Sequence, residues 1–317
     1  MEHGARIYVA GASAFLGAAI VRELRRQGYG EPLGACGDEP DLTDAAAVDR
    51  FFSTVRPEYV FMAAGLILGI GGNRRRPADL MLDNLLVGCH VVDAAYRHGV
   101  KKLLYLASGC GYPKHASQPM HPSVLMTGAL EPTSEFYATA KLAGLKLCEA
   151  YRRQHDANFV TGIPANPFGI GDDFDPEDAH VIGALMRRMH EAKRDGLKAV
   201  EIWGTGSPRR DFIFVEDLAD ACIFVMERYD GAAPINLTGG AQLTIGELAE
   251  LIKRLVGYQG DLRFDPSKPD GMPLKVFDGL ALAELGWRPR TPFPEALAAT
   301  YEWFLATEGS RMMADAR

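Results

Sequence analysis

Cysteine is scarce and unpatterned in this 317-residue chain: five residues, Cys36, Cys89, Cys110, Cys148 and Cys222, with no Cys-x-x-Cys pair. An odd number at irregular spacing argues against a disulfide framework and fits reduced thiols, so a cytoplasmic protein is expected. His, Cys and Asp nowhere fall at metal-ligand spacing, and no metal is expected. No apolar run reaches the ~18 residues that cross a bilayer, and strand-like sequence starts by Arg6, so neither a membrane segment nor a signal peptide is expected. Basic charge does not lead either. The 34 Lys and Arg face 41 Asp and Glu, a formal net charge of -7, which argues against a general nucleic-acid or anionic-membrane binder. Internal repeats and low-complexity tracts are missing too.

What remains is an ordinary globular composition, 47% hydrophobic and 24% charged, in a chain long enough for one large or two smaller domains. Arg6 to Ala10, Val60 to Ala64, Lys102 to Ala107 and Asn158 to Pro164 read as short buried strands. Between them stand helices at Ala18 to Gln27, Pro77 to His98 and Tyr137 to Gln154, the second with an apolar surface wider than one stripe. Strand–helix alternation of this kind predicts an α/β fold, a Rossmann-type doubly wound parallel sheet with right-handed crossovers. After Asn166-Pro167-Phe168-Gly169 the texture changes to helices among Pro- and Gly-rich loops. The expected division is a dinucleotide-binding domain at 1–165 and a smaller α/β substrate domain at 166–317, with 211–228 a candidate to return to the first.

The chemistry concentrates where Ser108-Gly109-Cys110 follows the third strand and Tyr137-Ala138-Thr139-Ala140-Lys141 opens a helix. Tyr137 and Lys141 are four apart and so share a helix face; a lysine cation beside a phenol favours the phenolate. The carboxyl ends of strands in an open α/β sheet are where ligands bind. A hydroxyl, a tunable phenol and an ammonium suit carbonyl reduction or oxidation, and Cys110 adds a second chemistry. Gly11-Ala12-Ser13-Ala14-Phe15-Leu16-Gly17 lies between a strand and a helix, where backbone N–H groups hold a pyrophosphate. It matches G-x-x-G-x-x-G except that Ala14 replaces the middle glycine. In Leu33-Gly34-Ala35-Cys36-Gly37-Asp38 there is no arginine for a 2′-phosphate and the first acid comes late, so both NADP and NAD remain open; Asp41-Leu42 is a candidate to pack beside the adenine. Cys36, Cys89, Cys148 and Cys222 read as small buried hydrophobes.

Taken together with Ser108 to Lys114, Leu130-Glu131-Pro132-Thr133, Tyr137 to Leu147, Asp178 to Ile182, Trp203 to Pro208 and Ser267-Lys268-Pro269-Asp270-Gly271, the chain resembles the extended short-chain dehydrogenase/reductases over nearly its whole length. The detail is similar to the branch that epimerises and reduces GDP-linked 4-keto-6-deoxy sugars. The resemblance implies 3,5-epimerisation followed by NADPH-dependent 4-reduction, giving GDP-L-fucose or a close relative, in a homodimer. Carried over residue by residue, it implies catalysis by Ser108, Cys110, Tyr137, Lys141 and His180, with Cys110 as base and His180 as acid. It implies cofactor contacts from Gly11, Ser13, Ala14, Phe15, Leu16, Gly17, Asp41, Ala63, Ala64, Tyr137, Lys141, Pro164, Asn166 and His180. Substrate contacts would come from Asn166, Arg188, Trp203, Arg210 and Lys275. Gly109 and Gly111 stand where the family carries larger residues, which points to a roomier sugar pocket. The alternatives are a nucleotide-sugar 4-ketoreductase, an NAD-dependent 4-epimerase, and a non-catalytic dinucleotide sensor.

Overall fold

The computed structural model describes residues 1–175, 179–268 and 270–315, with 308–315 described by backbone alone; Asp178 and Pro269, quoted above, lie outside the described residues. The first half runs β1 (Ile7–Ala10), α1 (Phe15–Arg26), α2 (Ala45–Val55), β2 (Tyr59–Met62), α3 (Ile70–Arg75), α4 (Pro77–Arg97), β3 (Lys102–Leu106), α5 (Glu135–His155) and β4 (Phe159–Pro164). The β1 and β3 strands are buried along their whole length, as continuous apolar runs in a doubly covered parallel sheet must be. Helix α2 starts at Asp44, whose carboxylate accepts the N–H groups of Ala46 and Ala47, and stops at Arg56 in the left-handed region.

The chain continues through β5 (Asn166–Phe168), α6 (Val181–Arg194), β6 (Ala199–Trp203), β7 (Arg209–Phe214), α7 (Val215–Arg228), β8 (Ile235–Leu237), β9 (Ala241–Thr244), α8 (Ile245–Val256), β10 (Asp261–Asp265), β11 (Leu274–Lys275), α9 (Leu280–Glu284) and α10 (Phe293–Asp315). A capping box of Thr244 and Glu247 starts α8, and Gly257 ends it with φ of +73°. The main sheet has the order β1-β2-β3-β4-β8, every pair parallel. Its last strand therefore comes from beyond residue 165. Helix α7 packs on α1 and β3, and its Leu218, Ala219, Ala221 and Cys222 belong to the same apolar core as the main sheet. A second core gathers Phe168, Phe212, Phe214, α6, α8 and α10.

Between α1 and α2 the chain touches the sheet only through one parallel bridge, Leu33 to Tyr8. Gly34 and Gly37, both at positive φ, turn the chain away there. Two of the cysteines read as buried are exposed: Cys36 lies on that turning segment and Cys89 on the outer face of α4, while Cys148 and Cys222 are buried.

Helices α4 and α5 close over Tyr105, whose hydroxyl is buried without a hydrogen-bond partner among the described residues. A β-carbon on Gly144 would strike that hydroxyl, so the two groups share one space. Gly144→Ala is expected to destabilise the protein by about 1–3 kcal/mol through overpacking. Tyr105→Phe removes an unpaired polar group and is expected to be neutral or stabilising by about 1 kcal/mol, and to relieve the Gly144→Ala defect. Urea unfolding of the two single variants and the double variant measures this coupling; additive effects would refute it.

Candidate functional site

The carboxyl edge of the main sheet opens into a cavity of about 760 Å³. At one end the glycine turn is shaped by contacts that tolerate no side chain. Gly11 has φ of +80°, and a β-carbon there would lie 2.7 Å from Cα of Ala64; one on Gly17 would strike the Gly11 carbonyl. Ala14 takes an extended conformation just before α1, donates its N–H to Gly11 O at 2.9 Å and lines the cavity. Its methyl is therefore accommodated at the place where a glycine was expected. No side chain caps α1 and its first turn carries no acid, so its N–H groups and dipole are available to an anion. These features fit the pyrophosphate of a dinucleotide.

The acid that meets this turn is Glu39. Its carboxylate accepts the N–H of Gly11 at 2.7 Å and the hydroxyl of Tyr8 at 2.9 Å, and burial raises its pKa. Asp41 is instead exposed and spent on Thr43, whose N–H and hydroxyl donate to it. Spacing could not separate the two, because residues 33–43 follow no strand period.

Ser108, Cys110, Tyr137, Lys141 and His180 all line the one cavity, together with Phe15, Leu16, Ala63, Pro164 and Asn166. Ser108 caps the short turn that carries Cys110 by accepting its N–H at 3.1 Å, and its hydroxyl also bonds Tyr137. Tyr137 departs from expectation. Burial and the neighbouring Cys110 push its phenol above the ordinary value, and the Ser108 bond only partly offsets them. Lys141 does not lower it, because its ammonium donates to Ala64 O at 3.3 Å and stands 5.4 Å over the Tyr105 ring. Burial brings Lys141 itself down to about 8. Cys110 moves the other way: burial alone would raise it, but Lys275 and the hydroxyls of Ser108 and Ser134 bring the thiol below its ordinary value. The cavity walls and Lys275 lower His180, whose Nδ1 lies 4.0 Å from Oδ1 of Asp172.

The second half supplies the far wall. Arg210 and Lys275 line the cavity; Arg210 donates to the carbonyls of Met272 and Asp270 at 2.6 and 3.0 Å. Arg188 and Trp203 do not line it but meet each other nearby, the guanidinium 5.4 Å from the indole ring. Gly11, Ser13, Gly17 and Ala64 do not line it either: Ser13 is exposed, and Ala64 supplies the carbonyl that Lys141 holds.

The expected extra room beside Cys110 is absent. A β-carbon on Gly109 would strike the Phe277 ring and lie 3.2 Å from Cε of Lys275, and one on Gly111 would lie 2.9 Å from Cδ2 of Leu142. Side chains from β11 and α5 fill the space that the two glycines leave. Sequence reasoning also missed Asp172, Leu66, Ile70 and Trp303, which line the cavity too. None of these carries a motif; a loop hydrophobe and a helix tryptophan read as packing until the fold places them.

The chain matches the NAD dependent epimerase/dehydratase family over residues 7–238 and belongs to it. It is 49% identical to GDP-L-fucose synthase 1 of Arabidopsis thaliana over 304 residues, 96% of this chain and 94% of that one. Among solved structures, a GDP-6-OMe-4-keto-L-xylo-heptose reductase from C. jejuni superposes with a TM-score of 0.90 at 31% identity, covering 97% of this chain and 99% of that one. A GDP-L-fucose synthetase from Naegleria fowleri bound to NADP superposes with a TM-score of 0.88 at 27% identity, covering 98% and 96%.

Asp172 generates a pH prediction. Among the described residues its Oδ2 is buried without a partner and its Oδ1 accepts only the Asp173 N–H among hydrogen bonds, and burial raises the carboxyl to about 7. A carboxyl raised on folding contributes most at low pH and loses that contribution as pH rises from about 4 through 7. Asp172→Asn is therefore expected to stabilise the ligand-free protein at pH 8, by on the order of 2–4 kcal/mol, and to change little at pH 4. Thermal and urea unfolding at the two pH values checks the sign; equal effects at both would overturn it.

Proposed function

We propose that the chain is a bifunctional 3,5-epimerase and NADP-dependent 4-reductase of a GDP-linked 4-keto-6-deoxy sugar, giving GDP-L-fucose or a close relative. The observation that carries this reading is that a thiol, a histidine, a serine and a tyrosine line one cavity, beside a turn suited to a dinucleotide. A plain reductase needs only the serine, tyrosine and lysine; Cys110 and His180 are the surplus that epimerisation uses. The names and full-length match of the relatives support the same substrate class. The α1 turn, Tyr137 and Lys141 would hold NADPH, which would supply hydride at C4 when bound.

The residues then divide the work. Cys110 removes the protons at C3 and C5, which the 4-keto group acidifies, and His180 returns protons to the opposite face. Ser108 and Tyr137 donate hydrogen bonds to the enolate oxygen, where negative charge develops. In reduction Tyr137 gives its proton to the new C4 alkoxide. A raised phenol suits that task, because it stays protonated until the alkoxide forms. Lys141, held by the Ala64 carbonyl, places a cation behind the tyrosine. Asn166 positions the sugar, while Arg188, Arg210, Lys275 and Trp203 are assigned to the sugar nucleotide. Residues 1–165 are assigned to the dinucleotide and 166–317 to the sugar nucleotide, with α7 of the 211–228 segment packed against the first and β7 in a second sheet.

A reading as a 4-ketoreductase without epimerisation is favoured by the likeness to the C. jejuni heptose reductase. Incubation in deuterated water separates the two. The proposed enzyme incorporates deuterium at C3 and C5 and then reduces; reduction without deuterium would leave a reductase alone. Cys110→Ser is expected to cut the deuterium incorporation by about 10²–10⁴-fold while sparing reduction of an already epimerised substrate. Equal loss of both steps would remove the division of roles.

A homodimer is also proposed, through the outer faces of α4 and α5, where Leu82, Tyr96 and Phe136 are exposed. Sedimentation is expected to give the dimer mass, and Leu82→Asp to give the monomer; a monomeric wild type would refute it.

A further inference from the structure

We propose that Lys275 is a positioning residue that acts through Cys110, holding its sulfur as a thiolate in the resting enzyme. This rests on the reading of Cys110 as the base, but the pairing can be tested apart from it.

The argument is one of geometry. Lys275 Nζ donates to Cys110 Sγ at 3.7 Å, across 165 positions of sequence. The contact is built from both sides. On the cysteine's side Gly109 lacks the β-carbon that would strike Phe277 and crowd the Lys275 stem. On the lysine's side β11 is clamped: Gln118 donates to Leu274 O at 3.0 Å and accepts the Val276 N–H at 3.0 Å. Phe277 N–H is taken by Asp211 at 3.2 Å, and the strand pairs with β7 through Leu274 and Lys275. Leu274, Val276 and Phe277 around Lys275 are thus fixed, and its ammonium meets the sulfur.

The other groups facing the pair do not cancel it. Ser108 and Ser134 give the sulfur hydroxyl donors, and Arg210 on β7 adds a second cation that senses both Cys110 and Glu131. Tyr137 on α5 faces the sulfur as a neutral phenol, and His180 feels Lys275 as a like charge. The Glu131 carboxylate is engaged by Lys114 at 3.0 Å.

The proton balance is simple. The thiolate takes the proton from carbon, the C–H electron pair enters the enolate, and His180 gives its proton to the opposite face. The Cys110 thiol then releases its proton to water and His180 regains one, which resets the site for the second carbon. Lys275 keeps its protons throughout. A lysine that only bound the diphosphate would leave the thiol of the ligand-free protein unchanged.

The test uses the full-length, ligand-free protein. Pulses of iodoacetamide from pH 5 to 10, read by peptide mass spectrometry at Cys110 apart from the four other cysteines, give the thiolate titration. The wild-type midpoint is expected below the ordinary ~8.5 of a free thiol. Lys275→Met is expected to raise it by about one pH unit or more, a loss of about tenfold or more in labelling rate at pH values below both midpoints, and Lys275→Arg to restore most of it. A wild-type midpoint at or above the ordinary value overturns the proposal without any variant, and superimposable wild-type and Lys275→Met profiles overturn it too. Deuterium incorporation measured on the same Lys275→Met protein separates the two ideas. A shifted thiol profile with unchanged incorporation keeps the pair and refutes Cys110 as the base. An unshifted profile refutes the pair whatever the incorporation shows.

Discussion

Asp211 is fully buried and joins segments that are far apart in the chain. Its carboxylate accepts the hydroxyl of Thr238, just past the last strand of the main sheet, at 2.7 Å, and the N–H of Phe277, just past β11, at 3.2 Å. Its own carbonyl accepts the Asn166 side chain at 2.6 Å. Burying a carboxylate is costly unless its oxygens are satisfied, and burial does raise this one to about 6. The cost is tolerated because the three bonds set the far wall of the cavity. Together with the pairing of β5 and β11 to β7 and the Gln118 bonds, they hold β11 and Asn166 at a fixed distance from the turn that carries Cys110. The reactive groups divide between the sheet edge and this wall, so their mutual geometry is a property of the buried carboxylate as much as of the sheet.

Much of this was legible in the sequence, and the reason is locality. A glycine turn between strand and helix, a Tyr-x-x-x-Lys pair on one helix face and Ser108 at a strand end are short-range patterns. Local backbone geometry turns each of them into a place. The parallel sheet itself follows from alternating strands and helices. What stayed hidden depends on pieces that meet only after folding. Glu39 on the Gly11 N–H lies in a segment without periodicity. The room beside Gly109 looked empty because the ring that fills it belongs to Phe277. Tyr137 was read from its neighbour four residues on, yet burial outweighs that neighbour, whose ammonium is held elsewhere. Sequence spacing says which groups can meet; desolvation depends on everything that surrounds them.

The two ends of the cavity differ in kind. The end near α1 is made of backbone: positive-φ glycine, unpaired helix N–H groups and a methyl in place of a hydrogen. Such a surface recognises an anion by shape and dipole. The other end is made of ionisable side chains, with Tyr137 and Lys141 buried, Cys110 half-buried and His180 exposed, where each group's charge depends on the next. Cys110 is lowered, Tyr137 raised and Lys141 lowered within one cluster. That spread of proton affinities is what acid–base chemistry on both faces of a sugar needs.

The order of strands in the main sheet also bears on how the protein is made. Strand β4 ends at Pro164, but its outer partner β8 does not begin until Ile235. At a synthesis rate of ~5–20 residues per second, roughly 70 intervening residues leave that apolar edge bare for several seconds. During that time it is a template for any passing strand. The nascent chain is thus most exposed to misassembly after its first half has emerged and before β8 arrives. A ribosome stalled in that stretch would hold a nearly complete sheet with one sticky side.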